Sequence, residues 1–262
     1  MNHIRAAFTI NGTTSKSLEQ AIMIGFFIAV GVFWLVSPSK ILPTPWGVIG
    51  AFPDLWFKDG IGIELWTSLT LNIEAIVIMS TISLLVSYAT AIPAMRPFAS
   101  TISIARFNGF VGLPLLFTIW IGDQHWIKVA LLVTGMCVFT VPSIVTMIEA
   151  IPRDAYDHGR VLRMSRARVL WEVVILGRFH EVIDILRTNV AIGWMMLPMV
   201  EGLFRAEGGI GVLILTENKY FKLESVYAII FLVAGIGLAQ DFMIRLFKSL
   251  MCPYANINTE RK

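Results

Sequence analysis

AIVIMSTISLLVSYATAIPAM, residues 75–95, runs for 21 positions without one charged side chain. A helix needs about 20 mostly apolar residues to cross the hydrocarbon core of a bilayer, so this stretch reads as a membrane span over about 73–95. Working outward, further charge-free runs cover Ala21–Ser39, Phe107–Gly122, Val129–Ile148, Thr188–Val200 and Ser225–Gln240. The shortest, Thr188–Val200, has 13 residues between Arg187 and Glu201. It must recruit polar flanks to span, and is extended to 184–204; a re-entrant segment is its alternative.

Composition agrees. Of 262 residues, 56% are hydrophobic and only 15% charged, and the mean hydropathy is +0.73. Soluble domains carry about 25% charged residues, so this chain cannot clothe a water-facing surface. A soluble enzyme, a disordered chain and a secreted disulfide scaffold are excluded. A net charge of +3 is too small to suggest nucleic-acid binding. The expected fold class is all-α: a polytopic helical membrane protein with six spans, at about 21–39, 73–95, 105–122, 127–148, 184–204 and 224–247. Before them lies an N-terminal segment, 1–20, and after them a tail, 249–262, with the transmembrane domain at 21–248. The first run is long and is followed by Pro38, Pro43 and Pro45 rather than a small-residue cleavage site, so it reads as an uncleaved span.

Orientation follows from Lys and Arg. With six spans, 15 basic residues fall on the side of both termini and 6 on the other, which places both termini in the cytoplasm. Trp46, Trp56 and Trp66 lie in or beside the outer connection Ser37–Glu64, where the expected role is anchoring at headgroup depth. Cys137 and Cys252 are expected to be unpaired thiols.

One cytoplasmic loop, 149–183, stands out. With the residues up to Arg187 it holds seven Arg, no Lys and six acids. The spacings Arg153–Asp157 and Arg168–Glu172 suit i,i+4 pairs on helices, and Pro152 suits a first turn. The expectation is short helices near the membrane surface. Two readings of the arginines stay open: topology enforcement, or a docking surface for a partner. No soluble chemistry is visible: no Gly-Lys of a phosphate-binding loop, no HExxH, no GxSxG and no CxxC, and four histidines without ligand spacing. No catalytic residue, metal site or cofactor is expected in this chain. Energy must enter from another chain or from an ion gradient.

From Leu42 to about residue 255 the chain resembles permease subunits of bacterial ATP-binding-cassette importers, most closely the nitrate/sulfonate/taurine group. Leu42-Pro43-Thr44-Pro45 resembles the Leu-Pro-Ser-Pro that follows the first span in that group. GLPLLFTIWIGDQHWIKVALLV, residues 112–133, resembles its proline, apolar run, Phe-Gly and Lys-led next span. The stretch after Ile151-Pro152 resembles its cytoplasmic coupling loop. Counted from Pro152, the group's Glu falls at Asp157, its two Ala at His158 and Gly159, its Gly at Arg163, its Ile at Val173, its Leu-Pro at Ile175-Leu176 and a later proline at His180. Acidic character, spacing and the flanking Trp171-Glu172-Val173-Val174 survive, while the small-residue and proline markers do not. Weaker echoes are Glu201 after the fifth span, Gly209-Ile210-Gly211, and Cys252-Pro253-Tyr254.

The resemblance implies a type I importer permease fold, with a core region at about 62–247, in the bacterial inner membrane. It implies a coupling helix made by Asp154, Ala155, Tyr156, Asp157, His158, Gly159, Arg160, Arg163, Met164 and Ser165. It implies as partners a cytoplasmic ATPase subunit that binds ATP and Mg, a second permease subunit (a second copy, or a different chain), an extracytoplasmic solute-binding protein, and the lipid bilayer. The implied solutes are small oxyanions or organosulfonates. Candidate path-lining residues are Asn108, Trp120, Thr140, Asn189, Trp194 and Glu201, against the plainer role of packing and interhelical hydrogen bonding. The alternative function is a secondary transporter or channel, motivated by Glu74, Glu201 and Asp241 near span ends. The absence of an evident inverted repeat weighs against it. An intramembrane enzyme lacks its acid pair or Ser–His couple.

Overall fold

The computed structural model describes residues 16–36, 42–92, 95–105 and 112–253. Its elements in chain order are α1 (Lys16–Val36), α2 (Pro45–Phe57), α3 (Ile61–Ala89), α4 (Arg96–Ala105), α5 (Leu113–Ile121), α6 (Gln124–Glu149), α7 (Arg153–Val161), α8 (Arg166–Val169, continued by a π-helical turn at Leu170–Leu176), α9 (Phe179–Leu203), α10 (Ile210–Lys219) and α11 (Leu223–Met251). No strand occurs among the described residues.

Five of these helices, α1, α3, α6, α9 and α11, are long and apolar enough to cross a membrane. At about 1.5 Å per residue, even α1 with its 21 residues reaches the length of the roughly 30 Å hydrocarbon core. The chain is a multi-pass helical membrane protein. α6 lies at its centre. Leu131, Leu132 and Met136 of α6 meet Leu71, Ala75 and Met79 of α3 and Val190, Trp194 and Leu197 of α9 in one buried cluster. None of the apolar window of α1 is buried within the chain. Trp34 ties it to the rest of the chain: the indole N–H donates to the Pro43 carbonyl at 2.9 Å and the ring stacks on Phe231 of α11 at 5.5 Å.

Of the run expected as one span over 105–122, the structure describes residue 105 and residues 112–122. α4 ends at Ala105, α5 begins at Leu113, and residues 106–111, Asn108 among them, lie outside the described residues. Pro114 stands in the first turn of α5, where its missing N–H costs nothing. Gly122, with φ +73°, ends the helix. Nine residues of helix rise about 14 Å, so α5 alone does not cross; α4 and α5 both pack along α6.

α9 also departs from the expected 184–204, starting at Phe179. Its first turns carry Glu181, Asp184 and Arg187, charges that the hydropathy reading treats as a boundary. They continue the helix because they have partners: Glu181 pairs with Arg178, Asp184 with Lys248 of α11, and Arg187 with Asp241 of α11 at 3.0 Å. The outer connection contains a helix of its own, α2, opened by Thr44, whose hydroxyl accepts from the Gly47 amide at 3.2 Å, and by Pro45. Trp46, Trp56 and Trp66 remain exposed.

Candidate functional site

The loop between α6 and α9 folds into an elbow. α6 ends at Glu149, Ile151 is buried, and Pro152, at φ −63° and ψ 146°, turns the chain into α7. The two faces of α7 have opposite fates. Ala155 and Tyr156 pack on a cluster made by Ile144, Met147, Ile148 and Ile151 below and Val174 and Val182 behind. Gly159 is buried, and a Cβ there would come within 2.9 Å of the Val169 side chain; this glycine lets α7 lie against α8. The other face, Asp154, Asp157, His158, Arg160 and Arg163, is exposed. At its tip, Val161 is 80% and Leu162 66% exposed.

Three residues beyond the α7 tip, the chain reverses. The Met164 amide donates to the Gly159 carbonyl at 3.0 Å and the Arg163 amide to the Arg160 carbonyl at 2.9 Å, the paired bonds of a Schellman cap. That cap needs a left-handed residue, and Arg163 supplies it at φ +53°. This is the position to which the resemblance assigns a glycine. A side chain in the left-handed region costs roughly 1–2 kcal/mol, so this chain keeps the turn and carries the strain. Ser165 then caps α8, accepting from the Arg168 amide at 3.3 Å. Arg168 pairs with Glu172 at 2.7 Å as its spacing predicts. The expected Arg153–Asp157 pair does not form; Asp157 pairs with Arg160 instead, at 3.1 Å, and Arg153 lines a cavity beside the helix.

A second polar site lies at the far end of the bundle, and the sequence reading found only part of it. Glu201, wholly buried at the end of α9, receives the Ser68 hydroxyl of α3 at 2.5 Å and the Gly211 amide at 2.7 Å. The Ser68 oxygen accepts from the Ile210 amide at 2.8 Å, and Glu64 accepts from the Gly209 amide. Two side chains of α3 and one of α9 thus satisfy three successive backbone donors opening α10. These are donors that a helix start leaves without internal partners. Glycine is required here: Gly209 sits at φ +112° against the Glu201 carboxyl, and a Cβ on Gly211 would overlap the Pro198 carbonyl. Glu64 and Ser68 were not foreseen; the signal for them was the pairing of Glu201 with the Gly-Gly-Ile-Gly stretch.

Beside this lies an ionic chain. Lys128, only 1% exposed, contacts Glu207 at 2.5 Å, and His125 bridges Glu207 at 3.4 Å and Glu74 at 2.9 Å. Burial pushes the Glu207 carboxyl up, but the Lys128 hydrogen bond and charge, with His125 behind them, outweigh it and hold the group below the ordinary carboxylate range. The sequence counts Lys128 with the basic residues of the outer side, at the start of the 127–148 span; its burial depends on a partner 79 residues away that hydropathy does not reveal.

The candidate path-lining residues are dispersed. Asn189, Trp194 and Glu201 share α9, Thr140 stands on α6 and Trp120 on α5. Thr140 donates to the Met136 carbonyl at 2.8 Å, Asn189 to the Ile185 carbonyl at 2.8 Å, and the Trp194 indole to Gln240 of α11. Trp120 is 77% exposed. No hydrogen bond joins any two of them among the described residues. Asn72 of α3 was missed. It is wholly buried beside Gly193 and Met136, and both of its amide atoms lack a hydrogen-bond partner among the described residues. Among the described residues no cluster of His, Cys, Asp and Glu could hold a metal ion.

No family model matches the chain. Known proteins do. The "Taurine transport system permease protein TauC" of Escherichia coli (strain K12) is 23% identical over 243 residues, 89% of this chain and 87% of that protein. The "Putative aliphatic sulfonates transport permease protein SsuC" of Bacillus subtilis (strain 168) is 19% identical over 241 residues, 91% of this chain and 87% of that protein. The chain is homologous to both permeases. Its fold is shared with a chain in the crystal structure of an amino acid ABC transporter with histidines. The TM-score is 0.55 at 15% identity, over 72% of this chain and 90% of that one.

Proposed function

We propose that the chain is the membrane-spanning permease subunit of an ATP-driven importer in the bacterial inner membrane. It passes a small solute of the sulfonate class, taurine or an alkanesulfonate, received from an extracytoplasmic binding protein. The observation that carries this reading is homology to two permeases over about nine-tenths of the chain, joined to an elbow of the right build in the matching loop. Two permease subunits would enclose the path, and the ATPase subunits beneath them would bind ATP and Mg; this chain supplies no site for either.

α7 is built to transmit force. Its inner face is fixed to the ends of α6 and α9 by the Ile144–Val182 cluster. Packed interiors are dense and yield little, so a push on the outer face moves those spans as a body. The outer face offers charges of both signs around Val161 and Leu162. Burying each of these two against an ATPase surface contributes about 1.5–3 kcal/mol, and they are the anchors of the contact.

Uptake of labelled taurine into proteoliposomes tests the function. The full assembly, with its ATPase and binding protein, is expected to accumulate solute when ATP is present on the ATPase side and to ignore ionophores. Uptake that runs without ATP and collapses with an ionophore would overturn the reading.

A further inference from the structure

Behind the elbow lies a cavity of about 810 Å³. It opens where α3 and α6 end, at Thr90 and Glu149, and is closed by the start of α4, by α7 and by α8. Its polar lining is Arg96, Arg153, Arg160 and Arg166, with Glu149 and Tyr156. Its floor is apolar, with Ile148, Ile151 and Val174 buried beneath it.

The arginines are under-neutralised. Arg160 has Asp157 at 3.1 Å. Among the described residues no carboxylate lies within ion-pair distance of Arg96, Arg153 or Arg166. The C-termini of α3 and α6 add the equivalent of about half a negative charge each. Set with Glu149 and with the Asp157 that pairs Arg160 against four guanidinium groups, they leave a surplus of about one positive charge. Helix electrostatics does not explain the placement either: Arg153 is the first residue of α7, where the macrodipole repels a cation. Topology enforcement needs positive charge on the loop but not its convergence on one cavity, and lysine would serve it equally. The loop uses arginine throughout, the side chain whose planar fork matches an oxyanion two bonds at a time. The depth is also specific, since the cavity sits where two spans terminate, with arginines above an apolar floor.

We propose that this cavity binds a tetrahedral phosphate-type oxyanion, held by Arg96, Arg153 and Arg166. Two sources carry that chemistry: the headgroup of an anionic phospholipid, its tails over the apolar floor, or a free oxyanion from the aqueous side. Either would bridge the α3–α4 corner to the elbow and so set the position of α7. The site needs only the membrane placement of the chain and stands whether or not the chain transports sulfonates.

The test uses the full-length chain and a binding readout. In nanodiscs of phosphatidylcholine containing a minor share of phosphatidylglycerol, followed by gentle extraction and native mass spectrometry, one phosphatidylglycerol per chain is expected to be retained over phosphatidylcholine. The double variant Arg96→Gln/Arg166→Gln is expected to lose this preference by about tenfold or more, while Arg168→Gln, outside the cavity and paired with Glu172, retains it. A second measurement keeps the wild-type sequence: phenylglyoxal labelling of Arg96 and Arg166, mapped by peptide mass. Protection by phosphatidylglycerol identifies the headgroup. Protection by millimolar inorganic phosphate in pure phosphatidylcholine nanodiscs, without lipid preference, identifies the free oxyanion. Equal retention of both lipids, with no protection of either arginine by either probe, overturns the proposal.

Discussion

Truncating Glu201 probes how the far end of the bundle is held. In Glu201→Ala, the Ser68 hydroxyl and the Gly211 amide lose acceptors at 2.5 and 2.7 Å, in a place where Glu201 and Ser68 are both wholly buried. Each orphaned donor costs about 1–3 kcal/mol, and the vacated volume adds to that. The expected loss is about 3–5 kcal/mol. For a chain of this size each kcal/mol moves the melting point by about 2–4 °C, so the transition falls by roughly 6–20 °C. Glu201→Gln keeps one oxygen acceptor and is expected to cost about 1–2 kcal/mol, giving the order wild type, Gln, Ala. In the double-mutant cycle with Ser68→Ala, the coupling energy is expected at about 1–3 kcal/mol. The assay is thermal unfolding of the detergent-solubilised chain, followed by tryptophan fluorescence. A loss below about 1 kcal/mol for Glu201→Ala, or strictly additive single effects, would refute the claim that this carboxyl holds α10 in place.

Three further outcomes are expected. Arg163→Gly relieves a left-handed side chain worth about 1–2 kcal/mol against about 0.5–1 kcal/mol of added unfolded-state freedom. The elbow should therefore gain slightly, read as slower hydrogen exchange at the Met164 amide, while Arg163→Val should speed it. Gly193→Ala puts a methyl group within 2.9 Å of both Asn72 and Met136 and should cost about 1–3 kcal/mol by overpacking, partly restored by Asn72→Ala. The folded-state pKa of Glu207 is lowered, so its stabilisation is fully present above the ordinary carboxylate pKa of about 4.3 and is lost as pH falls through the lower folded value. Acid titration of the melting point should show a step there that Glu207→Gln removes; Glu207 is 35% exposed, so the step is small.

Where the spans lie was legible wherever apolar runs decide burial by themselves. α6 and α11 are such cases, whereas α3 runs over Ile61–Ala89 rather than the expected 73–95, its first half carrying Glu64 and Glu74, which bond to the Gly209 amide and to His125. α9 was read five residues short, from Asp184 rather than Phe179, because Arg178 and Glu181 look like a boundary until they are seen to pair with each other. Within the run over 105–122, which reads as uniform hydropathy, the described residues form a nine-residue helix with Pro114 in its first turn and Gly122 at its end. In the elbow, the resemblance fixed the register well enough that Arg163 fell on a glycine position, and the structure gives the reason in a left-handed φ. The arginines of that loop were countable in the sequence. Their convergence on one cavity was not, because Arg96 joins them from the start of α4, far upstream in the chain. Lys128, Glu64 and Ser68 escaped notice for the same reason: each acts through a partner far along the chain.

The central claim is that the outer face of α7 meets an ATPase on the cytoplasmic side. Cross-linking in native membranes tests it most directly, with Cys137 and Cys252 replaced by serine, a single cysteine at Val161, and the ATPase subunit co-expressed. A covalent adduct of this chain with the ATPase subunit, whose yield changes when ATP is added, is the predicted result. Labelling of that cysteine by an impermeant maleimide added outside intact cells, with no adduct inside, would contradict the account.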